Sequence, residues 1–235
     1  DSFTDETKGV QARTQLKLDV MLQPVYEVEP ALKLDKVFFR FRVGYDAIYD
    51  LTDRYDDVPR DRSTDSRFDL ERNDLQYTVD LFEAYADIDW DVDGWYSNLR
   101  LGRQIIQWGE SGLFNVINVV NPQDLSILRN FDNPEDLAMP IWMGRLDVTT
   151  PAVGIFNELN FQVCYIPDNR PTVLGIDISP GVASPYSLAD GAFGETRQND
   201  ESSKLTDPQW ALRAGFSAAS LRAYFYWYNG YQNGP

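Results

Sequence analysis

The sequence contains no histidine and a single cysteine, Cys164. A Ser-His-Asp triad, a histidine-ligated zinc site and an internal disulfide bond are therefore excluded within these 235 residues. Cys164 lies in the middle of a predicted strand, so we expect a small buried residue and not a reactive thiol. Carboxylate pairs such as Glu83 with Asp87 or Glu110 arise by chance among 37 acidic residues, so no catalytic residue, enzyme activity or cofactor is predicted.

Basic residues and long apolar runs are also scarce. The 21 Lys and Arg residues stand against 37 Asp and Glu residues, which gives a net charge of −16. Phosphate binding needs a basic surface, so nucleic acid is excluded as a partner. No apolar run approaches the roughly 20 residues of a membrane helix. A barrel strand needs only about 9–11 residues with every second one apolar, so this composition is compatible with a membrane β-barrel.

The sequence does contain stretches of about ten residues in which apolar and polar side chains alternate, as in a strand with one apolar face. In the last copy, Leu221, Phe225 and Trp227 share one face, whereas Arg222 and Tyr224 share the other. This pattern predicts eight strands, near residues 10–23, 36–50, 75–90, 95–108, 141–150, 157–166, 208–217 and 219–229.

The predicted connections alternate between short and long along the chain. The long ones cover residues 51–74, 109–140 and 167–207. Outer-membrane barrels have this asymmetry, with short periplasmic turns and long extracellular loops. We therefore predict an all-β fold, a single antiparallel transmembrane β-barrel over residues 1–235 in the bacterial outer membrane, with 51–74 and 167–207 as extracellular loops. Eight strands would fill their own interior, so we expect further strands outside this chain and a barrel of about 14–18 strands.

The arginines on the polar face indicate what such a barrel would do. A charged, low-dielectric wall favours passage of small anionic or amphipathic molecules, so membrane lipid and a small solute are the predicted partners. A homo-oligomer or a periplasmic or surface protein is a further expected partner. The predicted lipid-facing residues are Phe39, Phe41, Leu146, Phe161, Phe216, Phe225 and Trp227. The predicted pore-lining residues are Arg40, Arg42, Arg100, Gln104, Arg145, Arg213, Arg222 and Tyr224.

Two other interpretations stay open. A structural or surface-assembly barrel without transport has the same strand pattern. A soluble β-sandwich that binds carbohydrate through aromatic strands also has strands with one apolar face. The alternation of the connections and the arginines on successive strands argue against the sandwich.

The long connection 109–140 is too apolar for a surface loop, because residues 113–120 read LFNVINVV. Exposing this segment would forfeit about 1.5–3 kcal/mol for each large side chain. We therefore predict that the connection folds into the lumen and narrows it. The predicted constriction residues are Glu110, Phe114, Asn118, Asn121 and Asp124.

The connection 51–74 is dense in charges of both signs, which is typical of a solvated surface loop. Calcium prefers carboxylate ligands, but the spacing of the aspartates fits no defined calcium loop, so no metal site is predicted. The weak candidates for such a site are Asp53, Asp56, Asp57 and Asp61.

Residues 99–112 (LRLGRQIIQWGESG) and 117–129 (INVVNPQDLSILR) form the least ordinary part of the sequence. Their motifs are Gly102-Arg103-Gln104, Trp108-Gly109-Glu110 and Val120-Asn121-Pro122 with Asp124. Across residues 80–150 the chain resembles a family of Gram-negative outer-membrane proteins catalogued as a domain of unknown function. The resemblance implies a porin-type barrel longer than this chain and the movement of small or lipidic molecules. Arg103 falls on the apolar face, which predicts either a bulge after Gly102 or a strand end beyond the membrane.

Overall fold

The computed structural model describes residues 13–24, 26–29, 32–51, 76–108, 119–123, 137–168, 170 and 208–230. These residues form one antiparallel sheet of nine strands, which confirms the all-β prediction. The elements are β1 (Arg13–Leu22), β2 (Tyr26–Glu29), β3 (Leu32–Asp46), the helical turn α1 (Ile48–Leu51), β4 (Tyr77–Val92), β5 (Trp95–Gln104), β6 (Ile141–Thr149), β7 (Glu158–Ile166), β8 (Gln209–Ala218) and β9 (Leu221–Asn229).

The sheet is a meander in which neighbours in the chain pair with each other. Its order is β1-β3-β4-β5-β6-β7-β8-β9, and the short β2 pairs with β3. Over the described residues the sheet is open, because β1 and β9 each pair along one edge there. No helix within these residues has the length and apolar character required to span a membrane.

Tight connections alternate with long ones, as predicted. Residues 93–94, 150–157 and 219–220 join strands at one end of the sheet, and residues 47–76, 105–140 and 167–208 do so at the other. The two-residue turn between β4 and β5 uses positive φ at Asp93 (54°) and Gly94 (80°), which is the conformation that suits such a hairpin. The Gly94 N–H also donates to Asp91 Oδ1 at 3.0 Å.

Three local predictions about strand ends are wrong. Residues 26–29, expected within a plain connection, form β2. The strand predicted to reach residue 50 ends at Asp46, and the Ala47 carbonyl then accepts bonds from Asp50 and Leu51 in one helical turn. The strand predicted to reach residue 108 ends at Gln104, because the following residues leave the sheet and cross one of its faces.

Candidate functional site

Register divides the side chains of the sheet between two faces of opposite chemistry. Partners on adjacent strands point to the same side, so the pairs Leu18–Phe41 and Phe41–Leu81 continue one surface from β1 to β4. We call this surface the apolar face and the opposite one the polar face. Among register-paired residues of β1 and β3 to β9, Arg103 is the one charged residue on the apolar face.

The apolar face is open to its surroundings in the described part of the chain. Val79 is 83% exposed and Phe225 is 66% exposed. Every strand of the meander contributes at least one such side chain, the examples being Leu16, Phe41, Val79, Leu101, Trp142, Phe161, Leu212 and Phe225.

Register places the residues predicted to face lipid and those predicted to line the pore on opposite faces of the sheet. All seven residues expected to share the apolar surface do so, namely Phe39, Phe41, Leu146, Phe161, Phe216, Phe225 and Trp227. The polar face carries the arginine ladder, a name we give to Arg40, Arg42, Arg100, Arg145, Arg213 and Arg222. Gln104 and Tyr224 lie on the polar face as well.

Arg40 is neutralised from both neighbouring strands. Its Nε and Nη2 atoms each donate to Asp19 of β1 at 2.8 Å, and its Nη1 donates to Glu83 of β4 at 2.7 Å. Such a two-pronged contact with a carboxylate is among the stronger charge-assisted hydrogen bonds. The guanidinium therefore joins three strands and offers little free binding capacity.

Arg100 forms the most enclosed ion pair of the ladder. Its Nε and Nη2 donate to the two carboxylate oxygens of Asp87 at 2.6 and 2.8 Å. Asp87 is 2% exposed and also lies 3.2 Å from Lys36 Nζ. The Arg100 guanidinium stacks over the Tyr85 ring at 3.9 Å, so both its edge and its face are occupied.

Arg145 begins a chain of hydrogen bonds that runs across the polar face. Its Nε donates to Asp147 at 2.6 Å, and Gln162 Nε2 donates to the other oxygen of Asp147. Gln162 Oε1 accepts from the indole N–H of Trp108. Trp108 packs against the Tyr226 ring at 5.3 Å, so residues beyond β5 reach as far as β9.

The remaining three arginines of the ladder are held differently. Arg42 is buried with its guanidinium 3.2 Å from the centroid of the Phe82 ring. Arg213 lies 5.7 Å from the Tyr224 ring centroid. Neither Arg213 nor the exposed Arg222 has a carboxylate of the described residues within ion-pair distance. Among the described residues, the positive charges of the β8–β9 hairpin therefore have no carboxylate partner.

Asn121 clamps the connection between β5 and β6 against the end of β5. Its Oδ1 accepts from the Ile106 N–H at 2.8 Å, and its Nδ2 donates to the carbonyls of Gln104 and Met139 at 3.2 and 2.9 Å. The neighbouring Val120 is 1% exposed. It belongs to a buried cluster with Ile106, Trp108, Ile141, Met143, Cys164, Ile166 and Ala211.

Gln104 lies beneath this clamped connection. It is fully buried, and its Nε2 donates to the Met143 carbonyl at 3.2 Å. Gln104 is thus on the predicted face but is covered by other side chains. Cys164 is also fully buried, as expected for a packing residue and not for a reactive thiol.

Arg103 remains on the apolar face, paired with Ala84 and Trp142. The expected bulge after Gly102 is wrong, because β5 runs through Gly102 without a register shift. The bulge lies in β4, where Phe82 is the extra residue. Arg103 turns along the end of the sheet and donates to the Leu81 carbonyl at 2.7 Å and to Asp80 at 3.1 Å.

Several predicted site residues lie outside the described residues. They are the constriction residues Glu110, Phe114, Asn118 and Asp124 and the weak metal candidates Asp53, Asp56, Asp57 and Asp61. Within the described part of the chain, no group of three or more potential metal ligands is present.

The sequence reasoning missed the carboxylates that neutralise the arginines. One signal was available, because a two-residue turn at 93–94 fixes the hairpin register and places Asp87 opposite Arg100. The contacts of Trp108 had no comparable signal, since they join residues far apart in the chain.

Comparison with known proteins finds one matching family. No significant match is found among curated proteins or among solved structures. A family model described as "Protein of unknown function (DUF1302)" matches residues 4–229. The chain therefore belongs to the DUF1302 family of proteins of unknown function.

Proposed function

We propose that the chain forms the wall of an outer-membrane β-barrel that passes small anionic or amphipathic molecules. The observation that carries this proposal is the exposed apolar face, which extends over all eight strands of the meander. Monomeric soluble proteins rarely expose a contiguous apolar patch larger than a few hundred square ångströms. Lipid is the occupant that suits a surface this wide with one charge at its end.

Aromatic residues at both ends of the apolar face support a membrane location. Beside the long connections, Tyr45 packs on Tyr77 at 5.4 Å and Tyr165 on Trp210 at 5.2 Å. At the other end, Trp90 and Trp95 flank the tight turn between β4 and β5. Such belts of aromatic rings are typical of the two membrane surfaces of a barrel.

Strand length and the position of Arg103 agree with this placement. Strands β5 to β9 contain nine or ten residues each, close to the 9–11 that a tilted strand needs to cross a bilayer. Arg103 pairs with Trp142, at the level of the aromatic belt. A charge costs far less there than at mid-bilayer, about 0–1 kcal/mol against about 2–4 kcal/mol.

In this proposal the polar face lines the lumen, and further strands close the barrel. The interior would already hold Trp108 and the clamped residues around Asn121. An eight-stranded barrel is filled by its own side chains, so a solute path past this segment requires a wider barrel. Arg213 and Arg222, which have no carboxylate partner among the described residues, favour anions on that path.

Reversal potentials in planar bilayers under a salt gradient test the proposal. We expect the purified protein to insert, to conduct and to prefer anions over cations. Arg222→Gln should reduce this preference, whereas Leu221→Ala, next to it on the apolar face, should leave it unchanged. A clear cation preference, or insertion without any conductance, would overturn the anion channel.

One observation favours a second candidate, a structural barrel without transport. The buried cluster around Ile141 and Val120 fills part of the polar face in the way a plug would. Folded protein that inserts into bilayers and conducts no ions would support this alternative.

A further inference from the structure

Arg213 on β8 has an unused hydrogen-bonding group in an enclosed position. Its Nε atom is buried and has no hydrogen-bond partner within the described residues. A buried donor left unpaired is costly, so a native structure normally supplies an acceptor. No carboxylate of the described residues lies within ion-pair distance to act as that acceptor.

The two cross-strand neighbours of Arg213 are already engaged elsewhere. Gln162 on β7 donates to Asp147 and accepts from Trp108, so its amide nitrogen and its amide oxygen each already have a partner. Tyr226 on β9 directs its hydroxyl to the Trp108 carbonyl at 3.4 Å. The acceptor for Arg213 is therefore expected from outside the sheet.

A second unused group lies diagonally across from Arg213. Asn160 Oδ1 is also buried without a partner, whereas the Asn160 amide nitrogen donates to Glu158 at 3.4 Å. Asn160 pairs with Gly215, and diagonal neighbours in a sheet lie about 7–8 Å apart. One small molecule can span a cationic donor and an acceptor on two residues whose Cα atoms have this spacing.

Gly215 brings an aromatic surface to the same place. A Cβ atom at Gly215 would lie 2.6 Å from the Tyr224 ring and 2.5 Å from Asn160 Oδ1, so the missing side chain is what admits both groups. Tyr224 is 43% exposed, and its ring lies near the Arg213 guanidinium. A flat ligand can therefore stack on Tyr224 beside both unused groups.

We propose that Arg213, Asn160 and Tyr224 form a binding site for an aromatic hydroxy acid. The carboxylate accepts from Arg213, the hydroxyl donates to Asn160 Oδ1, and the ring stacks on Tyr224. This site rests on the proposed function, for which it names the solute class. Glu158, whose carboxylate accepts from Asn160, repels a second negative charge and so favours acids with a single carboxylate.

Calorimetric titration of the detergent-solubilised protein tests the site without a membrane. The probes are 4-hydroxybenzoate, benzoate and 4-hydroxybenzyl alcohol. We expect 4-hydroxybenzoate to bind most tightly. Relative to it, benzoate should bind about fivefold more weakly, and the uncharged alcohol should bind more weakly by a factor of about ten or more. Equal binding of all three probes, or binding of neither acid, would overturn the proposal.

Substitutions at Arg213 and Asn160 test which side chains bind the acid. Arg213→Gln should weaken the binding of 4-hydroxybenzoate by a factor of about ten or more, and Arg213→Lys should recover part of this affinity. Asn160→Ala should weaken the binding of 4-hydroxybenzoate and leave the binding of benzoate unchanged. Arg222→Gln is the matched control, because it removes the same charge two rows away on the same hairpin. An equal loss in Arg222→Gln and Arg213→Gln would show a general field effect and contradict a site.

The experiments distinguish an error in the proposed binding site from an error in the proposed channel. Protein that binds the acid but conducts no ions would overturn the channel and retain the site. Protein that conducts anions but binds neither acid would do the reverse. If Arg213→Gln does not fold, the order of the three probes on the unchanged protein and on Asn160→Ala still decides the proposal.

Discussion

At the scale of single residues, Gly102 has the least tolerant position in the described sheet. Its φ of +139° lies in a region that L side chains rarely adopt. A Cβ there would lie 2.2 Å from the Ala84 carbonyl oxygen and 2.7 Å from Tyr85 Cα. Both atoms belong to the backbone of β4, so neither can rotate away. Gly102 thereby permits β5 to approach β4 without a register shift.

Gly102→Ala should therefore lower the free energy of unfolding by at least about 1–3 kcal/mol, the usual range for a strained backbone conformation. Urea titration in detergent micelles measures the loss. The control is Gly144→Ala in β6, where the nearest atom is the rotatable Leu101 Cδ2 at 3.3 Å. Equal losses in the two variants would contradict the close-approach explanation.

The charges of the polar face show what the sequence could and could not predict at this scale. Period-two alternation placed all six arginines on the correct face, because register within a strand fixes the side of every residue. The partners depend on pairing between strands. Only the tight turn at 93–94 made one of them, Asp87 with Arg100, derivable from the sequence.

At the scale of elements, strands with a clear apolar–polar alternation were predictable and irregular segments were not. β2 contains only four residues between Pro24 and Pro30, so the alternation is too short to be recognised. Residues 105–108 continue the composition of β5 but leave the sheet, since Ile106 bonds to Asn121 in place of a neighbouring strand. Such a long-range bond has no local sequence signature.

The Asn121 clamp gives a prediction at this scale. Asn121→Ala removes three hydrogen bonds and leaves the buried Ile106 N–H without its acceptor. The free energy of unfolding should fall by about 1–3 kcal/mol. Urea titration measures this, with Asn157→Ala in an exposed turn as control. An unchanged stability would show that the clamp contributes nothing.

Deletion of residues 112–128 tests the predicted inward fold of the same connection. In the proposed barrel this deletion should widen the lumen and raise single-channel conductance. An unchanged conductance, with the protein still folded, would place the segment outside the solute path.

At the scale of the whole molecule, the described sheet differs between its two faces in exposure as well as in chemistry. Its apolar face is exposed over the described residues, while the ion pairs of the arginine ladder and the buried cluster lie on the polar face. The proposed membrane wall would hold its apolar face against lipid, whereas a sandwich would bury its apolar faces against each other.

Spin labels on adjacent residues of β9 separate these two architectures. In a Cys164→Ala background, a label at Phe225 should be accessible to oxygen dissolved in lipid, and a label at Tyr224 to a water-soluble relaxation agent. Two stacked sheets would instead bury the Phe225 label from both agents, and that result would overturn the barrel.

The meander order also has a consequence for how the chain folds and how its family can vary in size. The hairpins β4–β5, β6–β7 and β8–β9 close through short connections. Because the entropic cost of closing a loop rises with its length, we expect these hairpins to form first and then to join each other. Each hairpin starts and ends at the side of the sheet with the long connections. Insertion of one more hairpin there, by duplication within a gene, would widen the sheet by two strands while preserving the register inside every existing hairpin.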